Sequence, residues 1–194
     1  PILGVTITAG IPPVDEAVAL LDSFTELGMT LNSLKVGNDD QIRQALQIAD
    51  AYDGQFILQV EGGKAGGHHS FDSLDELLLN WYARIRQRAN VLLTVGGGIG
   101  TGERVRDLLT GTWSRGYERA DMPVDAVFLG TALMAAKEAC TAPKVKDCLV
   151  ETNGTPAVIG RGTATAGIRS GLSGLGADIH YIDKIVDREG NIIF

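Results

Sequence analysis

Two adjacent histidines, His68 and His69, close a glycine-dense stretch, Glu61-Gly62-Gly63-Lys64-Ala65-Gly66-Gly67-His68-His69-Ser70. Imidazole gives and takes protons near neutrality, and neighbouring glycines let backbone N–H groups approach a ligand closely. The stretch directly follows an apolar run, Phe56 to Val60, and directly precedes an amphipathic helical pattern that begins near Ser73. A turn between a strand and a helix with two proton carriers in it reads as a ligand-facing loop, and His68 and His69 become the catalytic candidates. The plainer alternative is a helix-capping pair with no chemistry. The position after two glycines at a strand end, one strand before further glycine clusters, favours catalysis. His180 lies in a poorly patterned tail and is read as structural.

Gly96-Gly97-Gly98 and Gly130-Thr131 end the next two apolar runs. Loops after the last two strands of a β/α barrel commonly build a phosphate site from backbone N–H groups and a helix N-terminus. Gly97, Gly98, Gly130 and Thr131 are therefore candidate phosphate ligands. Two tight turns that need positive φ and bind nothing stay open as the alternative. Lys35, at the end of a short strand, either faces a ligand pocket or snorkels at the rim. Glu61 and Lys64 flank the glycine turn and read as solvated rim charges.

The elements that must hold these residues alternate. Short apolar runs at Leu3 to Ile7, Leu34 to Gly37, Phe56 to Val60, Val91 to Val95 and Val124 to Leu129 read as strands. Between them, helical spacing recurs from Val14 to Gly28, from Ile42 to Ala49 behind a cap at Asn38 or Asp39, and from Leu74 to Ile85 behind a Ser73–Glu76 capping box. A short helix with Val105 and Leu108 follows the fourth run, then an irregular insertion through Trp113 and Tyr117. Strand starts about thirty residues apart match βαβ units, and continuous apolar strands predict a parallel sheet covered on both faces. Beyond Lys144 the pattern degrades: Thr152 to Gly176 reads as a long loop, and Ile179, Tyr181, Ile182, Ile185 and Val186 as a terminal element.

Composition narrows the function classes. The 194 residues are 44% hydrophobic and 21% charged, as in a globular domain. A formal charge of −7 argues against nucleic acid or an acidic membrane surface as partner. Cys140 and Cys148 form no metal or redox motif and read as free thiols of a reducing, cytoplasmic compartment; no metal is expected. The start at Pro1 is expected of a segment belonging to something longer.

The turn from Glu61 to Phe71 resembles the flavin-site signature of the enoyl reductase domain in type I fatty acid synthases. The match is closest to the bacterial multienzyme and extends to the fungal β chain. It continues in Gly4-Val5-Thr6-Ile7, Val95 to Gly100, Leu109 to Ser114, Met122-Pro123-Val124-Asp125, Gly130-Thr131-Ala132 and Gly176 to His180. Nitronate monooxygenases share the Gly-Gly-His core, usually with one histidine, and remain an alternative; a catalytically incomplete structural segment is another.

The resemblance implies an α/β fold of the parallel (β/α)8 TIM-barrel type. This chain would hold its C-terminal five βα units, with residues 1–140 in the barrel and 141–194 a loop-rich extension. It implies FMN, its phosphate on Gly97, Gly98, Gly130 and Thr131, with Thr6, Lys35, Gly66 and Gly67 also lining the cofactor site. NADPH would be the reductant and a trans-2-enoyl thioester on acyl carrier protein the substrate. Partners would be the other domains of a synthase in a homo-oligomeric assembly. His68 would be the proton donor and His69 its alternate. One departure from the family pattern is Ser73, where an acidic residue is usual.

Overall fold

Alternate positions along the strands decide where the core sits. The computed structural model describes residues 2–152, 161–165, 167–174 and 176–182. Five parallel strands, β1 (Thr6–Ile7), β2 (Ser33–Val36), β3 (Phe56–Glu61), β5 (Val91–Gly96) and β6 (Ala126–Val127), form one sheet in chain order. Between β3 and β5 the chain adds a two-residue strand, β4 (Gly67–His68), which belongs to a second sheet. Leu34, Val36, Leu58, Val60, Leu93 and Val95 are each at most 1% exposed. They merge with residues of helices α1 (Val14–Glu26), α2 (Asp39–Ala51), α3 (Leu74–Ile85) and α4 (Gly102–Thr110) into one apolar core. Burying such a side chain contributes about 1.5–3 kcal/mol each.

The opposite face is different. Register places Lys35 beside Gln59, Gln59 beside Thr94 and Thr94 beside Ala126, and none of these joins the core cluster. On the same face Leu92 is 36% exposed. This face is polar but not bare: Ser33, Gln59 and Thr94 are only 4–7% exposed, while helices α1 to α4 all join the core on the other face. Right-handed crossovers between strands laid down in sequential order put helices α1 to α4 on one side. Nor does the sheet close: β1 and β6 are its edges, so the described residues form an open sheet and not a complete barrel.

Local chemistry explains the helix ends. Asn38 caps α2 by accepting from the Gln41 N–H at 2.9 Å, as its sequence position predicts. Ser73 precedes α3 but makes no side-chain capping bond, so the expected capping box is not formed. Gly28, at φ +80°, ends α1 with its N–H on the Thr25 carbonyl. The insertion after α4 winds into a 3₁₀ helix, Thr112–Tyr117, where Trp113 donates to the Met122 carbonyl at 2.9 Å.

The described part of the tail carries strands that its composition does not announce. Beyond a short helix, α5 (Thr131–Met134), lie helix α6 (Pro143–Glu151) and strands β7 (Ala164–Thr165), β8 (Ile168–Leu172) and β9 (Asp178–Ile182). These strands and β4 make an antiparallel sheet in the order β4-β9-β8-β7. Two pieces of the stretch read as loop, Ala164–Thr165 and Ile168–Leu172, are therefore strand. Ile179, Tyr181 and Ile182 do form a terminal element, while Ile185 and Val186 lie outside the described residues. Among the described residues no helix is long and apolar enough to cross a membrane.

Candidate functional site

Strand β3 delivers its chain directly into the glycine turn, and close packing with the turn after β5 shapes it. The Gly62 N–H donates to the Gly96 carbonyl at 3.1 Å, and the Gly63 N–H to the Asp72 carbonyl at 2.8 Å. Gly97 sits at φ +98°, and a Cβ built there would lie 2.6 Å from the Gly62 oxygen. Only glycine allows the two backbones to touch in this way. At Gly98 a Cβ would lie 2.6 Å from Lys64 Cβ, and at Gly66 one would lie 2.8 Å from Thr131 Oγ1.

Gly66, Gly97, Gly98 and Thr131, singled out in the sequence from three separate turns, thus belong to one neighbourhood at the C-terminal ends of β3, β5 and β6. Gly67 and Gly130 adjoin it along the chain. The N–H groups of Gly97, Gly98, Gly130 and Thr131 donate to no acceptor among the described residues. Unpaired amides at a strand end are suited to holding an anion. Thr6 stands apart: on edge strand β1, its hydroxyl accepts from Ser33 Oγ at 2.6 Å, two register rows before that of Lys35.

Lys35 and Glu61 turn out to serve each other. Their charged ends are 2.5 Å apart, with side-chain exposures of 22% and 12%, so Glu61 is no solvated rim charge. Burial is the largest influence on the Glu61 carboxyl and pushes its pKa above the ordinary 4.5. The Lys35 hydrogen bond and charge, and the charge of His68, pull the other way without overcoming it.

The histidines are held by the second sheet. His68 and Gly67 pair with Ile179 and His180 of β9, and the His69 N–H donates to the Asp178 carbonyl at 3.3 Å. His68 Nε2 is 2.8 Å from Ser173 Oγ, while its Nδ1 makes no hydrogen bond among the described residues and is not among the buried unpartnered atoms. His69 is engaged differently. Its Nδ1 lies 2.6 Å from the Ser70 carbonyl, its Nε2 is buried without a partner among the described residues, and its ring stacks on His180 at 3.4 Å. His180 is 3% exposed, with Nδ1 3.0 Å from the Ala65 carbonyl. Asp178, beneath the pair, has its pKa held below the ordinary carboxylate value chiefly by hydrogen bonds from Arg161, with the charges of Arg161, His69 and His180 adding to the effect.

Sequence reasoning missed Ser173 and His180 as members of this site. One signal was available: Asp178 to Ile182 alternates, but the buried positions are the polar Asp178 and His180, facing buried Ser170. Hydropathy patterning reads such a strand inside out. Among the described residues no group of His, Cys, Asp and Glu could hold a metal ion, and both cysteines are free thiols.

Comparison with known proteins adds a family. A model described as fatty acid synthase subunit beta/Fas1-like, helical, matches residues 55–191. That span carries α3 to α6 together with strands of both sheets. The fatty acid synthase beta subunit aflB of Emericella nidulans is 41% identical over 186 residues, which is 94% of this chain and 9% of that protein. The fatty acid synthase subunit beta of Saccharomyces cerevisiae is 36% identical and that of Schizosaccharomyces pombe 38%, each over the same shares. The chain therefore spans about 9% of the length of the curated relatives it matches.

Proposed function

The chain belongs to the fatty acid synthase β-subunit family, and from that premise we propose that it is the C-terminal part of an enoyl reductase of fatty acid synthesis. In this reading the parent protein reduces trans-2-enoyl thioesters on acyl carrier protein with NADPH and FMN. The observation that carries it is the convergence of the Gly66-Gly67-His68 turn with the amides of Gly97, Gly98, Gly130 and Thr131, which are unpaired among the described residues. Strand order supports a barrel rather than a doubly wound sheet: the strands never reverse their sequential order, and helices α1 to α4 share one face.

The residues present fit FMN. The four amides would hold its phosphate, and the glycine turn leaves space beside Thr131 that any side chain at Gly66 would fill. Lys35, Gly67 and, two register rows away, Thr6 are the remaining candidates to line the cofactor. FMN, when bound, supplies the hydride chemistry between NADPH and the enoyl β-carbon. The chain supplies binding and a proton. Once the β-carbon is reduced, the α-carbon needs a proton and the thioester oxygen needs stabilisation. His68 suits the donor role because Nδ1 is left unengaged among the described residues, whereas His69 has Nδ1 on a carbonyl and its ring packed on His180.

The open sheet supports a companion reading, that this segment is one arc of a site completed elsewhere in its parent. FMN retained by the segment expressed alone would refute that companion. For the main proposal, His68→Ala in the intact parent is expected to leave flavin reduction by NADPH unimpaired and to cut enoyl turnover about 10²–10⁴-fold. Loss of flavin reduction with enoyl turnover preserved would overturn the assignment, and unchanged turnover would remove His68 from the donor role.

A further inference from the structure

We propose that Ser173 is a positioning residue for His68, holding the Nε2 edge of the ring so that Nδ1 is the atom that delivers the proton. The inference rests on the reading of His68 as proton donor. Its basis is a contact across 105 residues of sequence, His68 Nε2 to Ser173 Oγ at 2.8 Å.

Both ends of that contact are anchored. Ser173 stands in the turn between β8 and β9, which is closed by Ser173 N–H on the Ala177 carbonyl and Gly176 N–H on the Ser173 carbonyl, each at 2.9 Å. Strand β9 then runs back to pair with β4, so the histidine and the serine are carried by one antiparallel sheet. A hydrogen bond between two groups fixed in this way restricts the imidazole to one ring orientation, which is what delivery to a single carbon requires.

The proton inventory is consistent with this geometry. The Glu61 carboxyl group lies within range of a charge interaction with His68. Imidazolium carries a proton on each nitrogen; the Nε2–H donates to Ser173 Oγ, and the Nδ1–H stays available. In the transfer, the Nδ1–H bond breaks with its electron pair remaining on nitrogen. A C–H bond forms at the α-carbon from the enolate's electron pair. FMN, when bound in the parent, would supply the hydride at the β-carbon. His68 ends neutral with Nε2–H still on Ser173, and water restores the Nδ1 proton.

The test uses the intact parent synthase carrying Ser173→Ala or Ser173→Thr. In flavin-free protein, the pH midpoint for diethyl pyrocarbonate modification of His68, followed by peptide mass mapping, is expected to fall by about 0.5–1 unit in Ser173→Ala. In flavin-loaded protein, enoyl turnover is expected to fall roughly ten- to hundredfold, with flavin reduction by NADPH within twofold of wild type. Ser173→Thr, which keeps the hydroxyl, is expected to restore both the midpoint and the turnover. An unchanged midpoint in Ser173→Ala overturns the proposal, as does a threonine variant as impaired as the alanine one. If His68→Ala costs turnover while Ser173→Ala costs none, this inference fails and the donor assignment stands. If His68→Ala leaves turnover intact, both fall.

Discussion

Lys35 and Glu61 meet because Lys35 pairs in register with Gln59, two residues before Glu61 on the same face of the neighbouring strand. Their pairing is a compromise between burial and charge. The folded state raises the Glu61 pKa above 4.5, so it binds that proton more tightly than the unfolded chain does. A carboxyl shifted upward stabilises the fold most below 4.5 and loses that contribution as pH rises through its folded value. Glu61→Gln removes the titration. Hydrogen exchange of residues 56–61 in the parent subunit, corrected for intrinsic rates, is the measure. The protection of wild type relative to Glu61→Gln is expected to shrink between about pH 4 and pH 7. A relative protection that grows over this range would show that the Lys35 pair outweighs burial. Asp178 has the opposite sign: its depressed pKa gives stability above 3.8 that is lost as pH falls through the folded value.

At the scale of elements, the two turns after β3 and β5 are a single packed unit. A side chain at Gly97 meets both a positive φ, which costs about 1–3 kcal/mol, and the Gly62 oxygen 2.6 Å away. Gly100, one turn later, has nothing within 4 Å of a built Cβ. Gly97→Ala in the parent is therefore expected to speed proteolysis at the glycine turn and, on the proposed FMN site, to lower flavin content, and Gly100→Ala to change neither. Equal responses at the two positions would refute the packed-turn account. Element ends were only partly legible from local chemistry. Asn38 caps as its position predicts, because the Gln41 N–H lies within its own reach. Ser73 does not cap, although the spacing to Glu76 is right.

For the whole molecule, the open sheet is the dominant fact. Strands β1 and β6 pair on one side only among the described residues, Leu92 is 36% exposed on the polar face, and Phe128 beyond β6 is 48% exposed. Unpaired parallel edges with apolar surface beside them promote association. The segment expressed alone is expected to give an apparent mass in light scattering that rises with concentration. A monodisperse monomer at about 100 μM would show that the edges are protected by means other than strand pairing.

Hydrophobic periodicity by itself determined the five parallel strands, the four long helices between them and the glycine turns at the strand ends. That information is local: each run of apolar positions marks its own element, and βα connections constrain the sheet order. Tertiary structure alone decided which face of the sheet helices α1 to α4 cover, that Lys35 pairs with Glu61, and that β9 reaches back to β4. It also decided which histidine keeps a nitrogen available, by setting Ser173 on His68 and His180 on His69. Those contacts join residues more than a hundred positions apart through a two-residue strand and a sheet whose buried face is polar. Neither a strand that short nor a polar interior leaves a periodic trace, so only the folded chain brings the site together.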